Sequence, residues 1–219
     1  MNDIPALNGP AMPPASGGEP KQIVLLLHGV GADGNDLIGL APHFREVLPD
    51  AVFISPDAPF PYDMAPFGRQ WFSLQDRSEA ARLKGTQSSA PVLDAFIDAM
   101  LARFNLGADK LALFGFSQGT MMSLYVGLRR EKALAGILGY SGILIGPDLL
   151  AGEIKSRPPV LLVHGDADAV VPFEYMGKAL ETLRRNGLDV EAHARPGLGH
   201  GIDPDGIRLA RDFLKRIFA

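Results

Sequence analysis

The chain has 219 residues, 47% of them hydrophobic, and carries 25 acidic against 21 basic side chains, a net charge of -4. That length allows one sizeable core, and the acidic balance leaves no basic footprint for nucleic acid. The absence of cysteine excludes disulfides, thiolate chemistry and cysteine-based metal sites.

Residues 1–20, rich in Pro, Gly and small side chains, are expected to form a flexible arm outside the core. The N-terminus lacks the basic and apolar regions of a signal peptide. No apolar run approaches the roughly 20 residues that span a bilayer, so a soluble, cytoplasmic protein is expected. From Gln22 onward strand-like and helix-like segments alternate, which predicts a single domain over residues 21–219. Ile23 to Leu27 is the first apolar run and Ala51 to Ile54 the second. Between them Leu37 to Leu48 has helical character, interrupted by Pro42. A helix is expected around Leu93, Phe96, Ile97 and Met100, ahead of a third strand over Leu111 to Phe114. Met121, Leu124, Tyr125 and Leu128 then give helical spacing, and Arg129, Arg130 and Lys132 collect at the end where cations are favoured. Leu134 to Leu138 and Val160 to Val163 are the next strands. Met176, Leu180 and Leu183 mark a helix stopped by Asn186-Gly187. Val190 to Ala194 is a weaker strand, and Asp203-Pro204 caps a last helix through Ile207, Ala210, Leu214 and Ile217. Continuous apolar runs mean strands buried on both faces. The expected class is therefore α/β, with a mostly parallel sheet between two helical layers.

The reactive residue types fall just after these strands, on the edge where such folds place their sites. Gly115-Phe116-Ser117-Gln118-Gly119 joins the third strand to a helix. A serine flanked two residues each way by glycine at such a turn is the mark of a nucleophile elbow, with the hydroxyl at a helix N-terminus. The five-residue pattern is weak alone, and its alternative is an ordinary cap serine. His28-Gly29-Val30-Gly31, His164-Gly165-Asp166-Ala167-Asp168 and Gly199-His200-Gly201 follow three other strands. Serine needs an adjacent base, histidine titrates in the working range, and a carboxylate fixes the imidazole. The order Ser, Asp, His assigns Ser117 as nucleophile, Asp168 as orienting acid and His200 as base and then acid. Asp166 rivals Asp168. His43 and His193 lie within elements and are read as solvated or structural, and His28 and His164 as loop anchors. The oxyanion is expected to meet the backbone N–H groups of Gln118 and Val30.

Other readings compete. Gly29-Val30-Gly31-Ala32-Asp33-Gly34 fits a dinucleotide fingerprint, with Asp50 and Asp57 beyond it, but that reading leaves the elbow and the Asp and His loops unexplained. The Asp-x-Asp pair alone suggests a metal, without a third ligand nearby.

Taken together, Leu27-His28-Gly29-Val30-Gly31, Gln70-Trp71-Phe72, the elbow, His164 to Asp168 with Val171-Pro172, and Gly199-His200 resemble the phospholipase/carboxylesterase family of α/β-hydrolases, which includes acyl-protein thioesterases. The resemblance runs from about Lys21 to the C-terminus. It implies an α/β-hydrolase fold with little or no cap domain and a triad at Ser117, Asp168 and His200. It also implies oxyanion donors at Val30 and Gln118, and neither metal nor organic cofactor. The expected activity is that of a serine carboxylesterase acting on small to medium acyl chains. A longer-chain thioesterase or lysophospholipase and a catalytically silent binding protein are the alternatives. The expected partner is a small ester or acylated substrate, with neither nucleic acid nor an integral membrane association, and a homodimer is left open. Phe67, Trp71 and Phe72 are available to line an acyl pocket, with Trp71 as core the competing reading. Ile143 to Leu150 is either an apolar flap or ordinary packing.

Overall fold

The computed structural model describes residues 7–219. In chain order the elements are β1 (Ala11–Met12), β2 (Gln22–Leu27), α1 (Gly34–Ile38), α2 (Ala41–Arg45), β3 (Ala51–Ile54), β4 (Phe60–Pro61), β5 (Arg69–Gln70), α3 (Glu79–Phe104), β6 (Leu111–Phe116), α4 (Gln118–Gly127), β7 (Gly136–Tyr140), α5 (Leu150–Glu153), β8 (Val160–Gly165), α6 (Glu174–Arg185), β9 (Val190–Arg195) and α7 (Pro204–Ile217). The main sheet has the order β1-β3-β2-β6-β7-β8-β9. All its pairings are parallel except β1 with β3. This is the mostly parallel α/β sheet that the alternation of elements predicts, in the α/β-hydrolase arrangement that the family resemblance implies.

Each central strand is apolar because both of its faces are covered. Ile23, Leu25 and Leu27 of β2 share a core with Leu93, Ile97, Met121 and Met122 of α3 and α4. Val24 and Leu26 pack on the opposite side with Phe44 of α2 and Phe213 of α7. Burying each such side chain is worth roughly 1.5–3 kcal/mol before entropy is counted. Among the described residues, no helix is long and apolar enough to cross a membrane.

Several elements differ from the sequence expectations. The arm expected over residues 1–20 falls partly on residues 1–6, outside the described residues. From Leu7 on, the stretch runs largely along the surface but is tied to the sheet in places. Leu7 is buried, Ala11 and Met12 pair with Ile54 and Phe53, and the Ser55 N–H donates to Pro10 O at 3.0 Å. Two strand residues are too few to give a period. The fourth expected strand, Leu134 to Leu138, lies two residues later, because Gly136 and Gly139 belong to it. Side chains of Phe213 and Ile217 meet Gly136, and Thr120 meets Gly139. The small residues are there for close helix packing, and they disguise the strand. Helix α3 is 26 residues long and Pro91 lies inside it. Its first half, Glu79 to Ala90, carries too few apolar residues to announce a helix. Pro42 divides Leu37 to Leu48 by opening α2 at its first turn.

Candidate active site

Ser117 stands between β6 and α4 with φ 53° and ψ −114°, a left-handed conformation unusual for a residue with a side chain. Such strain costs on the order of 1–3 kcal/mol and persists only where the surroundings over-determine it. The flanking glycines show what does so. A Cβ on Gly119 would stand 1.8 Å from Leu27 O, and one on Gly115 would stand 2.5 Å from the main chain of Gly119 and Thr120. The start of α4 is therefore pressed directly against the end of β2. The Ser117 N–H donates to Tyr140 O at 2.8 Å, and its carbonyl receives the Thr120 N–H at 3.0 Å.

The glycine loop after β2 lies against this turn: a Cβ on Gly29 would be 3.2 Å from the Cβ of Ser117. Among the described residues, the N–H groups of Val30 and Gln118 donate to no backbone acceptor. The hairpin of β4 and β5 holds the loop from outside, with Gly31 N–H donating to Arg69 O at 2.8 Å and Arg69 N–H to Ala32 O at 2.7 Å. The loop opens onto α1, a helix of five residues, and Asp57 accepts the Gly34 N–H at 2.8 Å.

His28, fully buried, organises the same loop. Ala58 N–H donates to its Nε2 at 3.0 Å, so Nδ1 carries the proton and donates to Gly29 O at 2.7 Å. Burial pulls the imidazole below its ordinary value of 6.5, against the opposing pull of Gly29 O and nearby carboxylates.

Asp168 and His200 are brought together. Nδ1 of His200 donates to Asp168 Oδ2 at 2.7 Å, which leaves Nε2 as the free base. The carboxylate is fully enclosed, and its Oδ1 accepts the N–H groups of Val170 and Val171 at 2.8 and 2.9 Å. Burial acts to raise this carboxyl. The bonds from His200, Val171 and Val170 outweigh it and hold the group below the usual carboxylate value of 3.8. The sequence did not disclose that His164 also faces the carboxylate. Its Nε2 donates to Val171 O at 2.9 Å and lies 3.2 Å from Asp168 Oδ2.

The His200 ring rests against Phe116, the residue before the serine, with ring centroids 4.9 Å apart. The Ser117 hydroxyl and His200 Nε2 make no hydrogen bond to one another. Asp166 has a different partner: it accepts the Gly197 N–H at 2.7 Å and ties the Asp loop to the His loop. His43 is exposed on α2, and His193 is half-exposed in β9, 3.9 Å from Glu191. Among the described residues, no group of three or more His, Asp or Glu is placed to hold a metal ion.

The expected acyl-pocket residues are placed differently from one another. Trp71 has no exposed surface and Phe72 has 3%, so neither offers a face to an open pocket. The indole is enclosed because its N–H and its main chain are all bonded inside the core. Phe67 is 74% exposed at the hairpin tip. Ile143, Leu144 and Ile145 are buried, and the segment from Ile143 to Leu149 forms one wall of a cavity of about 550 Å³. Its other walls are the first turn of α3 and one face of α6, and it touches neither Ser117, Asp168 nor His200.

Esterase YpfH of Escherichia coli (strain K12) is 30% identical over 196 residues, 89% of this chain and 82% of that protein. The crystal structure of esterase PE8 superposes with a TM-score of 0.93 and is 44% identical, covering 97% of this chain and 99% of that one. That of Zea mays acyl-protein thioesterase 2 superposes with a TM-score of 0.79 at 26% identity, over 97% and 100% of the two chains. With the phospholipase/carboxylesterase family model matching residues 14–218, the chain belongs to that family.

Proposed function

We propose that this protein is a serine hydrolase that cleaves carboxylic esters of small to medium acyl groups through an acyl-enzyme, with Ser117, Asp168 and His200 as its triad. The observation that carries the reading is the 2.7 Å bond from His200 Nδ1 to a buried carboxylate, one ring contact away from a strained serine turn. A fixed Nδ1–H leaves Nε2 unprotonated and able to take a proton.

Ser117 Oγ attacks the ester carbonyl carbon as His200 Nε2 removes its proton. The carbonyl oxygen becomes an oxyanion that receives the N–H groups of Val30 and Gln118. The imidazolium, stabilised by Asp168, returns the proton to the leaving alcohol, and the C–O bond breaks. Water repeats the sequence on the acyl-serine: His200 takes its proton, and the acid leaves as Ser117 is restored. Every group that moves a proton or forms a bond belongs to the chain, the ester or water. The short-acyl preference is supported by the enclosure of Trp71 and Phe72 and by the separation of the large cavity from the triad. The similarity to a thioesterase structure supports a second reading, hydrolysis of long-chain acyl thioesters.

A series of p-nitrophenyl esters of rising acyl length, together with an acyl thioester, separates these readings. The expected result is an optimum at short chains and loss of activity in Ser117→Ala to roughly 10³–10⁴-fold above the water rate. A long-chain or thioester optimum selects the second reading. Full activity in Ser117→Ala removes the nucleophile, and silence of the wild type on every substrate points to a binding protein.

A further inference from the structure

The two proposed oxyanion donors lie on different loops; β2 and β6 are paired up to Leu27 and Gly115, but beyond that point no main-chain hydrogen bond joins the two loops to one another. Their spacing must nevertheless hold within a few tenths of an ångström for both N–H groups to reach one oxygen. The side chains of Gln118 and Trp71 together span the gap between them. Gln118 is fully buried, and both ends of its amide are used. Its Oε1 accepts the Trp71 N–H at 2.8 Å, and its Nε2 donates to Phe72 O at 2.8 Å, so its orientation is fixed. Trp71 continues the connection. Its indole Nε1–H donates to His28 O at 3.1 Å, the carbonyl of the peptide that leads into Gly29 and Val30. Ser89 of α3 donates to Trp71 O and anchors the middle of the chain.

We infer that Gln118 and Trp71 are positioning residues, a buried hydrogen-bonded strut that sets the distance between the Gln118 and Val30 N–H groups. Gln118 thus serves twice, by its main chain as donor and by its side chain as spacer. The inference rests on the oxyanion assignment of the proposed function. A misplaced donor weakens contact with the tetrahedral oxyanion more than with the planar carbonyl. Losing the strut therefore lowers kcat and leaves KM nearly unchanged. The two links lie in series, so breaking either one releases the same constraint. Their effects then fail to add.

The test uses the full chain as Gln118→Met, Trp71→Phe and the double variant, beside Ser117→Ala. Gln118→Met keeps the volume and removes both amide bonds. Trp71→Phe keeps an aromatic ring and removes the indole donor, so each substitution tests the strut without the other. Measured are kcat and KM on p-nitrophenyl acetate and the inhibition constant of an alkyl trifluoromethyl ketone, which forms a tetrahedral adduct. The expected result is a kcat loss of roughly 10–100-fold in each single variant, with KM within about twofold. Ketone affinity falls by the same factor, and the double variant is no worse than the poorer single one. Wild-type kcat in either single variant overturns the inference. So do losses that multiply in the double variant, or a kcat loss with ketone affinity intact. Activity in Ser117→Ala overturns the underlying reading instead.

Discussion

At the scale of single residues, the site depends on buried polar groups whose partners fix their protonation. His28 is the plainest case. Its folded state favours the neutral ring, because Nε2 accepts from Ala58 and burial opposes charge. Below pH 6.5 the unfolded chain takes up a proton that the folded chain resists, so stability falls as pH falls. Asp168 acts in the same direction but later: its stabilisation is complete above 3.8 and is lost only as pH drops below that value. Urea denaturation at a series of pH values should therefore show stability declining from pH 6.5 downward, and His28→Asn should flatten that slope. An unchanged slope in the variant would assign the acid sensitivity elsewhere. Residue types and order proposed Ser117, Asp168 and His200, and the fold brings the last two into a hydrogen bond. What the sequence hid is how the neighbours are used. A His-Gly pair at a strand end signals an anchored loop, but not that the His164 ring lies beside the Asp168 carboxylate or that His28 holds the Val30 loop. Trp71 is a related case. An aromatic cluster suits a pocket wall and a core equally, and only its bonded indole and main chain distinguish them.

At the scale of elements, the strands carry position and the loops carry chemistry. Strands β2, β6, β8 and β9 deliver the proposed oxyanion loop, Ser117, Asp168 and His200 to one edge, as their parallel pairing requires. The least legible elements are those with the fewest residues or the most glycine. Strand β1 has two residues, the β4–β5 hairpin two per strand, and β7 hides its apolar run among glycines. Strand β1 still has structural weight. With Asn8 O accepting the Asp57 N–H at 2.7 Å and Pro10 O accepting the Ser55 N–H, it covers the edge of β3 and braces the turn that carries Asp57. Removal of residues 1–13 should lower the thermal midpoint by several degrees, about 4 °C per kcal/mol lost or less for a chain of this size, and increase self-association through the opened β3 edge. A truncated protein as stable and as monodisperse as the parent would return this stretch to a dispensable arm.

At the scale of the whole molecule, two helical layers clamp one sheet, and that rigidity makes a strained serine tenable. Ser117 is held by β2 through Gly119, by β7 through Tyr140 O and by α4 through its own carbonyl. The Asp and His loops are tied to one another by Asp166 and Gly197 and to the start of α7 by the Arg195–Asp203 pair, Nη2 to Oδ2 at 2.9 Å. Contacts from three separate elements thus hold the one strained residue. The most direct measurement is covalent labelling with a fluorophosphonate, followed by peptide mass spectrometry of the intact wild-type chain and of Ser117→Ala and His200→Ala. One adduct per chain on the peptide holding residue 117, absent from the first variant and slowed by orders of magnitude in the second, is the predicted outcome. A label on any other serine, or equal labelling in all three proteins, would contradict it.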